Sequence, residues 1–326
     1  MIDAKGQGEK PAVKNTSDKG DPGTSSGFAA IIGAPNAGKS TLLNQLVGAK
    51  IAIVTHKVQT TRARIRGIAI DGKAQIVFVD TPGIFKPKRR LDRAMVDAAW
   101  GGAGDADVVI ALIDAERGRD SDVSRVIEGL QGSGEAPSRK AILALNKVDM
   151  LDEKGRERML KLASELTETG LFSETFMISA QTGSGVDDMK HHIASLMPKG
   201  PWHYPEDQLA DVPLRSLAAE VTREKLFLRL HDELPYSLTV ETESYETKKD
   251  GSIRIQQIIF VQRESQRKIA LGEKGQTIKT VGTLAREELQ EMLGAKVHLF
   301  LFVKVRENWG DDRERYREMG LDFPKS

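Results

Sequence analysis

Gly33-Ala34-Pro35-Asn36-Ala37-Gly38-Lys39-Ser40 fits the pattern GxxxxGK[ST] in full, and few strings of eight residues restrict a fold so tightly. The string follows an apolar run, residues 28–32, and precedes a helical pattern that begins at Thr41. Strand, glycine-rich turn and helix N-terminus in that order form a cradle for a phosphate chain. Successive N–H groups curl round the anion and the helix presents its positive end, while Lys39 reaches the terminal phosphates and Ser40 ligates magnesium. Asn36, Ala37, Gly38 and Thr41 complete the nucleotide-binding wall.

The base is specified further along. Asn146-Lys147-Val148-Asp149 follows a second buried-strand run, residues 141–145, and so stands at the carboxyl end of a parallel strand, where nucleotides bind in such sheets. A carboxylate at Asp149 accepts hydrogen bonds from the N1–H and 2-amino groups of guanine. Adenine offers neither donor and would leave the carboxylate unpaired, at a cost of several kcal/mol. This argues against a P-loop ATP kinase. Asn146 is expected to bridge the base edge to the phosphate loop, and the Lys147 stem to cover the flat of the base. Ser179-Ala180, after the strand pattern at residues 176–178, is expected to place a backbone N–H on guanine O6.

Two segments lie where a third phosphate would be sensed. Asp80-Thr81-Pro82-Gly83 ends the apolar run 75–79. There Asp80 can hold a magnesium-bound water and the Gly83 N–H can reach the γ-phosphate. Gln59-Thr60-Thr61-Arg62 lies between two strand patterns, and one threonine hydroxyl is expected to complete the magnesium shell. Thr61 is the choice, with Thr60 as the alternative. The expected magnesium ligands are therefore Ser40, Thr61 and, through water, Asp80. Ile84 stands where a water-orienting glutamine would follow the DTPG motif, so hydrolysis is expected to be slow. Arg62 is a candidate internal arginine finger.

Composition narrows the remainder. At 326 residues the chain should hold about two domains. It has no cysteine and six scattered histidines, which removes disulfides, thiolate catalysis and cysteine-ligated zinc. The adjacent His191 and His192 read as exposed helix residues. The longest apolar run, residues 108–113, is too short to span a bilayer, and no signal-peptide core is present. The expectation is a soluble, cytoplasmic, monomeric protein. Residues 1–26 are polar with balanced charge and read as a disordered tail. Alternating strands and helices over 27–197 specify an α/β domain with a mostly parallel sheet. Pro198, Gly200, Pro201, Pro205 and Pro213 mark 198–213 as a linker. From 214 to about 320 the order becomes α-β-β-α-α-β, a separate α+β domain.

Within that second domain Gly272-Glu273-Lys274-Gly275 stands between an apolar segment and a helix, the setting of a KH-domain GxxG loop. Three other GxxG pairs, starting at Gly20, Gly101 and Gly129, lack this setting. Arg263, Arg267, Lys268, Lys274 and Lys279 add local positive charge, yet residues 200–326 carry 20 basic against 22 acidic side chains. A shaped site for single-stranded RNA is therefore expected rather than a non-specific coat.

The motifs PNAGKST, QTTR, DTPG and NKVD, together with one KH-like domain behind one GTPase-like domain, resemble the Era family of bacterial GTPases. Related families are less similar. Double-domain assembly GTPases carry two phosphate loops, and tRNA-modifying GTPases end in a cysteine motif absent here. The resemblance implies a Ras-like P-loop GTPase domain followed by a type II KH domain. It further implies GTP and GDP with Mg2+ as ligands, with Asn36, Lys39, Thr61 and Gly83 as the catalytic residues. Asn36 is expected to seat K+ beside the phosphates, as in related GTPases with PNxGKS. The implied partners are the 3′ end of small-subunit ribosomal RNA and the 30S precursor, bound through residues 272–275 with Arg267, Lys268 and Lys279. GTP would select the RNA-competent arrangement, with residues 84–100 as the lever. Peripheral contact with the inner face of the cell membrane is a further implication. The alternative is a constitutive RNA-binding protein whose nucleotide domain is only structural.

Overall fold

The structure, a computed structural model, describes residues 23–57, 60–132, 141–231, 234–307, 309 and 312–324. The expected tail up to residue 22 lies outside the described residues, as does Gln59. The first unit runs β1 (Ser25–Gly33), α1 (Lys39–Val47), β2 (Ile65–Asp71), β3 (Ala74–Asp80), α2 (Arg90–Asp105), β4 (Val108–Asp114), α3 (Ser121–Gly132), β5 (Ala141–Asn146), α4 (Glu153–Glu168), β6 (Phe172–Met177) and α5 (Val186–Ser195). Its sheet has the order β2-β3-β1-β4-β5-β6. Only the β2–β3 pair is antiparallel.

Near-continuous apolar runs form the inner strands because both faces of this sheet are covered. β4 and β5 are buried at every position. With a side-chain period of two, neighbours such as Ile31 and Ile32 enter different cores. Ile31 joins α1 and α5 on one face, and Ile32 joins α2, α3 and α4 on the other.

Two boundaries differ from the sequence expectation. Strand β1 begins at Ser25, inside the segment read as tail, because the backbone of Ser25 and Ser26 bonds to Lys73 O and Pro198 O whatever the side chains are. Helix α1 begins at Lys39, so Lys39 and Ser40 form its first turn.

The second unit comprises α6 (Leu214–Arg229), β7 (Leu238–Thr247), β8 (Ile253–Val261), α7 (Glu264–Leu271), α8 (Gln276–Leu293), β9 (Val297–Val305) and α9 (Arg313–Glu318). Its sheet order is β7-β8-β9, antiparallel then parallel. One sheet face packs on α6 and α8 through Val261, Val281, Ala285 and Leu289. The other exposes Phe300 and Phe302. The C-terminal end of this unit does not stay within it. Trp309, Tyr316 and Leu321 form a buried cluster with Leu91, Ala94, Met95 and Ala98 of α2.

The proline-punctuated linker is held in place. Ala210 forms a bridge to Gly67 on edge strand β2, and Lys199 one to Ser25. Gln75, fully buried, accepts from the N–H groups of His203 (2.8 Å) and Tyr204 (3.0 Å) and donates to Tyr204 O (2.8 Å). The strap thus covers unpaired edge backbone that would otherwise invite another strand. Replacing Gln75 with Ala should leave two backbone donors and one acceptor unpaired and destabilise the fold by about 2 to 3 kcal/mol. Chemical denaturation measures that loss, and limited proteolysis should show new cleavage within residues 200–209.

Candidate nucleotide and RNA sites

The nucleotide site is a cleft of about 430 Å3 at the carboxyl end of the parallel strands. Asn36, Gly38, Lys39, Ser40, Thr41, Thr61, Gly83, Asn146, Lys147, Asp149 and Ala180 line it, so segments more than 140 residues apart in sequence meet there. The phosphate loop turns through left-handed backbone at Asn36 (φ 64°) and Gly38 (φ 100°). Gly38 is required twice over. Its φ strains any side chain, and an added Cβ would stand 2.3 Å from Asn146 Nδ2.

Lys39 is almost fully buried and donates to Gly33 O (3.2 Å) and Ala34 O (2.9 Å). Burial lowers its pKa to about 8, against the opposing pull of Asp80. Asp80 at the end of β3 is itself inaccessible, and burial raises its pKa although Lys39, Ser40 and Thr61 all stabilise the carboxylate. The hydroxyls converge on it. Ser40 Oγ donates to Asp80 Oδ2 at 2.7 Å, Thr61 Oγ1 donates to the same oxygen at 3.1 Å, and the two hydroxyls are 2.8 Å apart. Asp80 Oδ1 is buried with no hydrogen-bond partner among the described residues. Two hydroxyls and a carboxylate with an unused oxygen are a hard donor set of the kind magnesium takes. Thr60 stands apart, its Oγ1 bonded to Thr55 Oγ1 and Lys57 O, so of the two threonines it is Thr61 whose hydroxyl meets Ser40 and Asp80.

Asn146 acts as a tie. Its Nδ2 donates to Ala37 O (2.8 Å) and its Oδ1 accepts from Ala180 N (2.9 Å), joining the phosphate loop to the 179–180 loop. The Ala180 N–H expected on guanine O6 is thereby engaged by Asn146. Ser179 is buried and its N–H donates to Ser184 O. Lys147 adopts φ 69° and bonds Asp114 Oδ2 at 2.6 Å, which fixes its stem along the cleft. Asp149 is exposed at the rim beside it. Ile84 is buried beside Ile32 and Ala34, and its N–H donates to Gly33 O, so no side chain at that position reaches the cleft. Asp114 was not singled out from the sequence because no motif marks it.

Arg62 does not act as an arginine finger in this arrangement. Its guanidinium leaves the cleft and enters the second unit, where Nη1 donates to Leu238 O (2.7 Å) and Nη2 to Pro235 O (3.3 Å). Phe227 and Trp309 flank it at 5.7 and 5.6 Å from their ring centroids. Backbone carbonyls and aromatic faces suit a buried cation better than a distant phosphate would.

In the second unit the GxxG pair alone joins two helices. The pairs at Gly101 and Gly129 are inside α2 and α3. Helix α7 ends at Leu271, Gly272 (φ 75°), Lys274 (φ 51°) and Gly275 (φ 77°) take positive φ, and α8 begins at Gln276. An added Cβ on Gly272 would meet Thr277 Oγ1 at 2.2 Å. Glu273, Lys274, Lys268 and Lys279 are exposed round the loop, whereas Arg267 is partly committed to Val303 O (3.2 Å) and Glu264 (2.9 Å). Exposed Ile269 and Leu284 add apolar surface nearby.

Comparison with known proteins matches both units to known domain families. The family described as 50S ribosome-binding GTPase matches residues 28–147, and the KH domain family matches residues 233–310. GTPase Era of Rhizobium meliloti (strain 1021) is 64% identical over 302 residues, covering 93% of this chain and 94% of that one. GTPase Era of Agrobacterium fabrum is 59% identical over 325 residues and covers 100% of both. A crystal structure of an Aquifex aeolicus Era variant bound to GDP and aluminium fluoride superposes with a TM-score of 0.84 at 36% identity, covering 91% of this chain and 99% of that chain. A structure of Era with MgGDPNP and nucleotides 1506–1542 of 16S ribosomal RNA gives the same score, identity and coverage. By identity, by length and by the pairing of the two domains, the chain belongs to the Era family of GTPases.

Proposed function

We propose that the chain is a GTP-switched assembly factor for the small ribosomal subunit, in which the second unit binds single-stranded RNA at the 3′ end of 16S ribosomal RNA. The observation that carries this reading is the convergence of Ser40, Thr61 and Asp80, from the phosphate loop and both switch segments, beside a cleft rimmed by Asp149. The relative solved with MgGDPNP and 16S ribosomal RNA supports the ligand assignments. The unit boundaries near residues 27, 197 and 214 belong to the same reading, as does a cytoplasmic monomer. No helix among the described residues is long and apolar enough to cross a membrane. Peripheral membrane contact is supported by the family resemblance alone.

In this mechanism the phosphate-loop N–H groups and the Lys39 ammonium would hold the phosphates, and Ser40, Thr61 and, through water, Asp80 would hold the magnesium. Magnesium supplies neutralisation of charge on the phosphates. Gly83 offers its N–H to the third phosphate, so both switch segments respond to its loss. Burial of Ile84 leaves no side chain to orient water, and turnover of the isolated protein should be slow. Potassium seated by Asn36 would supply charge stabilisation that an arginine finger provides elsewhere.

Four measurements test the assignments. Asp149→Asn should exchange GTP for xanthine nucleotides in competition binding, because the new amide donates to the 2-oxo group; unchanged preference for GTP would put base recognition elsewhere. Hydrolysis should run faster in potassium than in sodium, and Asn36→Ala should remove the difference; equal wild-type rates in both salts would exclude the potassium role. Replacing Glu273 and Lys274 by aspartates should abolish binding of a 3′-terminal 16S oligonucleotide while GTP affinity stays near normal. In the unaltered protein that oligonucleotide should bind more tightly with a non-hydrolysable GTP analogue than with GDP, by roughly 1 to 3 kcal/mol for a typical switch. Identical affinities would favour the constitutive RNA-binding alternative.

A further inference from the structure

Of the described residues 50–57 and 60–62 around Thr61, Ile51 and Ala52 are held by Asn44 of α1, and several others are held from the second unit. Val54 N donates to Glu224 Oε1 (2.8 Å), Lys50 Nζ to Glu224 (2.8 Å) and Glu288 (2.6 Å), and Lys57 Nζ to Leu230 O. The two chain neighbours of Thr61 carry the closest anchors. Thr60 O accepts from Arg223 Nη2, and Arg62 is caged by Leu238 O, Pro235 O, Phe227 and Trp309. Thr61 Oγ1 therefore reaches Ser40 and Asp80 from a tripeptide frame, both ends of which are fastened to α6 and its surroundings.

The contact that holds this frame is not a filled core. Arg62 and Arg223 are 3% and 2% exposed and lie 5.7 and 5.0 Å from the centroid of the same Phe227 ring. Two guanidiniums buried against one ring repel each other. Glu220 offsets Arg223, but Arg62 Nε and Arg223 Nη1 are buried with no hydrogen-bond partner among the described residues. Alongside runs a cleft of about 740 Å3 lined by Thr61 to Ile65 from one unit and by α6, β7 and residues 319–320 from the other. A contact with unpaired buried donors beside open space is an interface rather than a filled core.

We propose that Arg62 is a positioning residue for the triphosphate-bound metal site: the KH unit, by caging Arg62 and holding Thr60, presents Thr61 to the magnesium. The inference rests on Ser40, Thr61 and Asp80 being the magnesium site, and it adds that the site is completed from the second unit. Opening the cage withdraws Thr61 and leaves Ser40 in place. A diphosphate site keeps its Ser40 ligand, whereas a switch threonine joins the metal only when the γ-phosphate is present. The consequence is a nucleotide-specific magnesium requirement set by residues outside the nucleotide cleft.

The test is a magnesium titration of the full-length protein, following binding of fluorescent GDPNP and fluorescent GDP. Arg62→Ala should raise the magnesium midpoint for GDPNP about tenfold while the GDP midpoint stays within about twofold, the size expected for losing one oriented ligand. Arg62→Lys should not restore it, because one ammonium cannot bridge Leu238 O and Pro235 O in the manner of a planar fork. Phe227→Leu, which keeps the second unit apolar at that position and lies outside the cleft, should shift the GDPNP midpoint in the same direction. Equal shifts for both nucleotides, or none, would overturn the positioning role. A wild-type protein indifferent to magnesium with both nucleotides would instead overturn the metal assignment itself.

Discussion

One buried carboxylate organises the nucleotide half of this molecule. Asp80 sits at the end of β3, inaccessible to solvent, and gathers the Ser40 and Thr61 hydroxyls within the field of Lys39. A carboxylate removed from water is tolerated only where charge and hydrogen bonds replace hydration. That requirement draws the first turn of α1 and the segment before β2 to the same point. The arrangement proposed to hold the metal is thus prepared by the electrostatics of the protein alone. One oxygen of Asp80 stays unpaired within it.

The second half of the molecule is joined to this point by two routes. One passes from Thr61 through Thr60 and Arg62 to α6 and the start of β7. The other passes from Gly83 along α2 to Trp309, Tyr316 and Leu321. Trp309 belongs to both, since it flanks Arg62 and donates through Nε1 to Ser237 O at 2.9 Å. A domain attached only by a flexible linker would act as a tethered module. Here the linker is hydrogen-bonded along the β2 edge, and the units share buried polar and apolar contacts. Movement of either switch must therefore be accommodated by the KH unit, which is the route along which the proposed coupling between GTP and RNA would run.

The GxxG loop shows how context selects among equal strings. The glycine pairs at Gly101 and Gly129 disappear into helices, where neighbours three apart merely share a face. At Gly272 and Gly275 the same spacing interrupts two helices and adopts positive φ, bringing backbone to the surface at the head of α8. Exposed Lys268, Lys274 and Lys279 surround it, and the adjoining apolar positions Ile269 and Leu284 remain open. Such a surface is shaped to accept a sugar-phosphate chain by close approach and bases by apolar contact.

What the sequence by itself determined were the features whose chemistry is local. The phosphate loop, Asp80, the NKVD string, the strand–helix alternation and the GxxG loop each need fixed residue types at fixed spacing, so they can be read before any fold is known. Thr61 and Thr60 stayed alternatives on the sequence, because adjacent threonines differ only in where the tertiary structure points them. Arg62 is the clearest case. From its place beside QTT it reads as a candidate for the phosphates, yet its guanidinium is turned into a cage from residues 227 to 309. Asp114 and Arg223 carry no motif either, and gain their roles from partners 33 and 163 residues away. Contacts of that range depend on the packing of one unit against another, and packing leaves no periodic mark on the chain.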